Sequence, residues 1–146
     1  MPMRRPGRAP EPMPRAYLLN AGEGLTGDTS LKASRVSTGG ALTLIESDTD
    51  GGAPPHVHHR EDEAMYILEG EITARAGDQQ FRASRGGFLF MPRGEEHEWD
   101  VVGERALVLI LAAPAGLEEF LAEFHAAPDW AGRDEVAARY GLEFPR

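Results

Sequence analysis

Four of the five histidines fall between positions 56 and 97, in two segments whose spacing can bring them together. The first segment runs Pro54-Pro55-His56-Val57-His58-His59-Arg60-Glu61-Asp62-Glu63. In an extended chain residues two apart share a face, so His56 and His58 point one way and His59 the other. The pair is a ready-made two-nitrogen clamp. Glu63 opens the following strand and shares a face with Met65 and Ile67, which turns its carboxylate inward, where an unpartnered charge is costly. Asp62 is the rival within the acidic run, but the alternation favours Glu63. The second segment reads as strand, turn and strand from Gly86 to His97, and it delivers His97 with Trp99 and Val101 on its face. Three imidazoles and one carboxylate suit one divalent transition metal, and a six-coordinate ion would keep two positions for water, substrate or dioxygen. Glu63 is also the candidate catalytic base, provided it loosens from the ion during turnover. The inward positions Met65, Ile67, Ile72, Ala74, Trp99 and Val101 are expected to form a largely apolar substrate pocket for an aromatic or weakly charged small molecule.

Other chemistries are excluded by what the chain contains. It has no cysteine, which removes disulfides, thiolate metal sites, iron–sulfur clusters and cysteine nucleophiles. A formal net charge of −9 repels a phosphate backbone, so nucleic-acid binding is not expected. Gly22-Glu23-Gly24-Leu25-Thr26-Gly27 spells the dinucleotide fingerprint G-x-G-x-x-G, yet no crossover helix follows it, and it reads as a loop. No nucleophile elbow or phosphate-binding lysine loop is present. His59 is expected to be exposed, and His125 follows the apolar stripe of a helix near its C-terminus, where an imidazolium complements the dipole.

The elements that must position these residues follow from length and period. At 146 residues the chain fits one domain with a sizeable core. The longest apolar run, Ala106 to Ala113, has eight residues, far short of a transmembrane helix, and no membrane association is expected. Residues 1–15 hold five prolines and four arginines with no apolar stretch like a secretory signal, so a disordered tail and a cytoplasmic protein are expected. From Ala16 to Ala113 short β-type runs alternate with glycine and proline turns, with nothing helical between them. Strands are expected at 16–19, 31–36, 41–47, 63–68, 71–76, 80–83, 88–91, 98–101 and 106–111, with Gly70 supplying a tight turn before the fifth. From residue 114 to 146 the period becomes helical: Leu117, Phe120, Leu121 and Phe124 mark one amphipathic helix, and a second at about 133–140 stops at Gly141. Both are expected to pack on the barrel formed by residues 16–113.

The two histidine segments resemble the paired motifs of the cupin superfamily, G-x5-H-x-H-x3–4-E-x6-G and G-x5-P-x-G-x2-H-x3-N. His56, His58, Glu63 and Gly70 fit the first, and Gly86, Pro92, Gly94 and His97 fit the second. Two positions depart: the opening glycine is Gly51, one residue too close to His56, and Val101 stands where the pattern has asparagine. The chain as a whole resembles small one-barrel cupins described as quercetin-dioxygenase-like. The resemblance implies an all-β double-stranded β-helix, or jelly-roll barrel, with the two short helices following it. It also implies one divalent iron, manganese, nickel, cobalt, copper or zinc ion held by His56, His58, Glu63 and His97, and a homodimer. The functional expectation is a metal-dependent, dioxygenase-like oxidoreductase acting on a small organic molecule. The alternatives are a non-catalytic small-molecule binding or sensing barrel, and an isomerase or lyase using the same metal site.

Overall fold

The computed structural model describes residues 13–145. The tail expected over 1–15 therefore lies outside the described residues as far as residue 12. Eight strands follow, β1 (Leu31–Ala33), β2 (Thr43–Thr49), β3 (Ala53–His58), β4 (Asp62–Ala76), β5 (Gln79–Ser84), β6 (Phe88–Met91), β7 (His97–Ala113) and β8 (Leu142–Glu143), with helices α1 (Leu117–Ala126) and α2 (Trp130–Tyr140) between the last two strands. All pairings are antiparallel.

The long strands β4 and β7 pair from Asp62↔Ala113 to Ala76↔His97 and carry the architecture. Their sequence shows why they bend. In β4 the residues of the core between the layers, Met65 and Ile67, are odd-numbered, whereas Ile72, Ala74 and Ala76 are even-numbered. In β7 His97 and Trp99 are odd, whereas Ala106, Val108 and Ala112 are even. A period-two strand cannot change parity without an extra residue, so each strand must contain a bulge. The register breaks between Ile67 and Glu71, around Gly70. Gly70 has φ 82°, and a Cβ there would lie 2.7 Å from the Arg105 carbonyl oxygen. It therefore marks a bulge inside one strand, not the turn expected between two.

The bulges divide the strands into two layers. The first half of β4 pairs with β6 and its second half with β5. The second half of β7 pairs with β2, and its first half with β3. Met65, Ile67, Leu89, Met91 and Val108 from one layer pack against Ile72, Ala74, Ala76 and Trp99 from the other. This is the jelly-roll barrel. On its outer face the row Phe88–Tyr66–Leu109 crosses three strands, and Phe88 is 67% exposed.

Leu117 and Phe120 of α1 and Val136 and Ala137 of α2 bury against Ala112, Ile45 and Ile110 of the barrel, each large apolar side chain contributing about 1.5–3 kcal/mol. Helix α1 is docked by a polar clasp as well: the buried Thr43 hydroxyl donates to Glu118 Oε2 at 2.8 Å and accepts from the Gly116 amide at 3.0 Å. Helix α2 begins at Trp130, earlier than expected, because Asp129 caps it by accepting from the Gly132 amide at 2.8 Å.

Other expectations are corrected. Residues 16–19 form no strand; Tyr17 is instead tied through its hydroxyl to the Lys32 carbonyl at 2.7 Å. The loop containing Gly22 to Gly27 includes a 3-10 turn, Leu25–Gly27, so one helical turn does precede residue 113. Strand β8 was not foreseen; it pairs Val57↔Glu143 and His58↔Leu142, extending the β3 layer with residues beyond the helices. Among the described residues no helix is long and apolar enough to cross a membrane.

Candidate metal centre

Three elements converge at one end of the barrel. Strand β3 supplies His56 and His58, the first residues of β4 supply Glu63, and β7 opens with His97, which pairs directly with His56 in the β3–β7 register. All four are buried, at 6%, 2%, 5% and 1% exposure respectively. One ligand atom from each lies within 4.8 Å of the others. Asp62, the rival of Glu63, faces outward and is held by the Arg93 amide at 3.0 Å and its guanidinium at 3.2 Å.

The inner atoms have the spacing of a coordination sphere. His56 Nε2 lies 3.1 Å from His58 Nε2. Glu63 Oε2 lies 2.9 Å from His58 Nε2 and 3.1 Å from His97 Nε2. Two ligands at right angles around an ion with bonds of about 2.1 Å stand about 3.0 Å apart, the spacing of these three pairs. The outer nitrogens agree. His56 Nδ1 donates to the Pro54 carbonyl at 2.7 Å, because a carbonyl only accepts, and this leaves the Nε2 lone pair facing the centre. His58 Nδ1 lies 2.6 Å from Glu61 Oε1, and a carboxylate likewise accepts.

Charge is distributed unevenly. Burial, with repulsion from His97, lowers His56 to about 4, so it is neutral at pH 7. Burial also acts to lower His58, but its hydrogen bonds to Glu61 and Glu63 outweigh that and raise it to about 9. Burial pushes the Glu63 carboxyl up, and the bonds from His58 and His97 overcome it, holding Glu63 well below the usual carboxylate range. A divalent ion must therefore displace a proton from His58. Apparent metal affinity is expected to rise by about tenfold per pH unit from pH 7 towards 9 and to level off above, as competition against a chromogenic chelator would read. A pH-independent affinity over that range would show that no proton is displaced.

The expected pocket residues have a different character. Met65, Ile67 and Ile72 are fully buried core side chains, and Ala74 and Trp99 are nearly so, with half-buried Val101 packed against them. Ala74 and Trp99 also border a concavity of about 810 Å³ that includes Thr73, Arg75, Arg82 and Asp100, and none of the four candidate ligands is in its lining. His59 is exposed and pairs with Glu143 at 3.2 Å. His125 is also exposed.

Two residues beside the centre were missed. Glu61 sits behind His58, although its place three residues after a histidine was visible. Phe144, just beyond β8, stacks on the His56 ring with centroids 5.6 Å apart. It also stacks on Phe124 at 5.2 Å, so the C-terminal segment covers this end of the barrel. No local pattern announces such a contact.

A family model described as a cupin domain matches residues 43–113, from β2 to the end of β7. The stretch from residue 43 to residue 113 is thus a cupin domain. The chain is 31% identical over 61 residues, 42% of its length, to the tetracenomycin polyketide synthase protein TcmJ of Streptomyces glaucescens, and the match spans only 41% of that protein. Among solved structures it is similar to KdgF from Halomonas sp., with a TM-score of 0.52 at 21% identity over 61% of this chain and 79% of that one. At that identity the likeness establishes the fold alone. The helical segment after residue 113 lies outside the matched family region.

Proposed function

We propose that this cupin is a metal-dependent oxidoreductase of the dioxygenase type acting on a small organic molecule. One observation carries the reading: three imidazole nitrogens and one carboxylate oxygen, all buried, converge within 4.8 Å. That donor set leaves a six-coordinate ion with two positions for exchangeable groups. The bound ion would supply Lewis acidity and a meeting point for an electron-donating substrate and dioxygen. The chain's own contribution is to bury the four donors and aim them at one point. His56 and His58 are fixed by a strand paired on both sides, and Glu63 is fixed between two imidazoles. Glu63, already ionised, can accept a substrate proton at Oε2 once it turns from the centre. The stretch shared with a tetracenomycin polyketide synthase protein supports trying polyketides first.

A second reading, a small-molecule-binding barrel without turnover, is favoured by the burial of all four donors, with Phe144 stacked on His56. Oxygen-consumption and mass-spectrometric screening of metal-loaded protein against polyketides, flavonols, diols and diketones separates the two. Metal-dependent oxygen uptake with product formation is expected. Saturable binding with no uptake would establish the second reading, and conversion of a substrate without oxygen uptake would point to an isomerase or lyase.

A further inference from the structure

The acidic run Glu61-Asp62-Glu63 resembles a solvated turn in sequence, but its three carboxylates have separate partners. Asp62 faces outward to Arg93. Glu63 faces inward to His58 and His97. Glu61, in the turn between β3 and β4, reaches back to the outer nitrogen of His58 at 2.6 Å, with its side chain only 12% exposed. Holding a carboxylate that far out of water is costly unless it is bonded, and this bond is the one it makes among the described hydrogen bonds. The other two rings have no such backing. His56 donates to a backbone carbonyl, and His97 Nδ1 is buried without a hydrogen-bond partner among the described residues.

We infer that Glu61 is a positioning residue for the metal centre: its carboxylate accepts the Nδ1 proton of His58 and so fixes the ring with the Nε2 lone pair directed at the ion. The inference rests on the metal reading above. Imidazole has two tautomers and a free χ2 rotation, and only one combination presents Nε2 to the other donors. A carboxylate behind the ring selects that combination and makes the coordinating nitrogen more basic, and loss of such a partner typically weakens metal binding 10–100-fold.

The test uses the full chain and Co(II) as probe, with affinity read by chelator competition and ligand geometry by the visible absorption of the bound ion. The parent is measured first: failure to take up Co(II) overturns the metal reading itself, before any variant is compared. Glu61→Ala is expected to bind Co(II) about 10–100-fold more weakly, with an altered spectrum. Glu61→Gln keeps an oxygen that can accept the same proton, so it is expected to recover a parent-like spectrum and most of the affinity. Asp62→Ala, which removes a neighbouring charge that faces away, serves as the control. Glu61→Ala binding within about threefold of the parent, or Glu61→Gln falling as far as Glu61→Ala, overturns the proposal, since a Glu61 that only supports folding would change unfolding temperature without this pattern. A readout without any variant comes from proton–nitrogen correlation spectra of the Zn(II)-loaded chain. They are expected to show His58 protonated at Nδ1, and coordination through Nδ1 would equally overturn the proposal.

Discussion

Changing His56 and His97 together to alanine is expected to leave a folded barrel that retains under a tenth of the parent's metal when purified without chelator. The two residues are cross-strand partners at the join of β3 and β7, so their loss removes one whole side of the donor set while His58 and Glu63 stay in place. A four-ligand zinc site contributes about 10–16 kcal/mol, or about 2.5–4 kcal/mol for each ligand. Losing two ligands therefore costs on the order of 5–8 kcal/mol, at least a thousandfold in affinity. The fold is expected to survive, because neither ring belongs to the apolar cluster between the two layers and Glu63 keeps its 2.9 Å bond to His58. Elemental analysis of both proteins, beside circular dichroism to confirm the β structure, makes the measurement. Equal metal content would sink the assignment of these residues.

The candidate ligands were legible because a histidine pair two residues apart and a glutamate in phase with Met65 and Ile67 both express the period of a strand. The same rule separates Glu63 from Asp62, whose partner Arg93 lies outside. The bulges were legible in principle as well: the inward residues Ile67 and Ile72 are five apart, an odd interval that an unbroken strand cannot span on one face. Reading Gly70 as a turn missed that constraint. Period reports a face and not a void, which is why Met65, Ile67 and Ile72 could be placed inside but not shown to meet a ligand. What could not be read is contact across long sequence distances. Strand β8 has two residues, too few to show a period, and it exists because β3 offers an edge beside His58. Phe144 reaches His56 only because β8 and the cap at Gly141, with φ 74°, steer the chain back across the barrel end. Glu61 lay between these cases, since its spacing from His58 was visible but its burial was not.

The glycine pair ahead of His56 provides the sharpest test of how the fold sets the site. Spacing singles out Gly51 as the motif glycine, yet a Cβ on Gly51 would meet nothing within 4 Å. Gly52 is the constrained one: a Cβ there would lie 1.8 Å from the Trp99 carbonyl oxygen and 2.8 Å from the Asp100 Cα. Both are backbone atoms of β7, so no side-chain rotation relieves the clash. The entry to β3 would have to lift away from β7, and the Ala53↔Trp99 and His56↔His97 pairings follow directly from that entry. Gly52→Ala is thus expected to cost about 2–4 kcal/mol. That lowers the melting temperature by about 5–15 °C for a chain of this size. Metal retention is expected to fall with it, because the displaced strand carries two of the four donors. Gly51→Ala, placed in open space, is expected to stay within about 0.5 kcal/mol of the parent. Thermal unfolding of the two variants compares one methyl group at adjacent positions. If Gly52→Ala were as stable as the parent, or Gly51→Ala the worse of the two, the close approach of β3 to β7 would not be what holds His56 against His97.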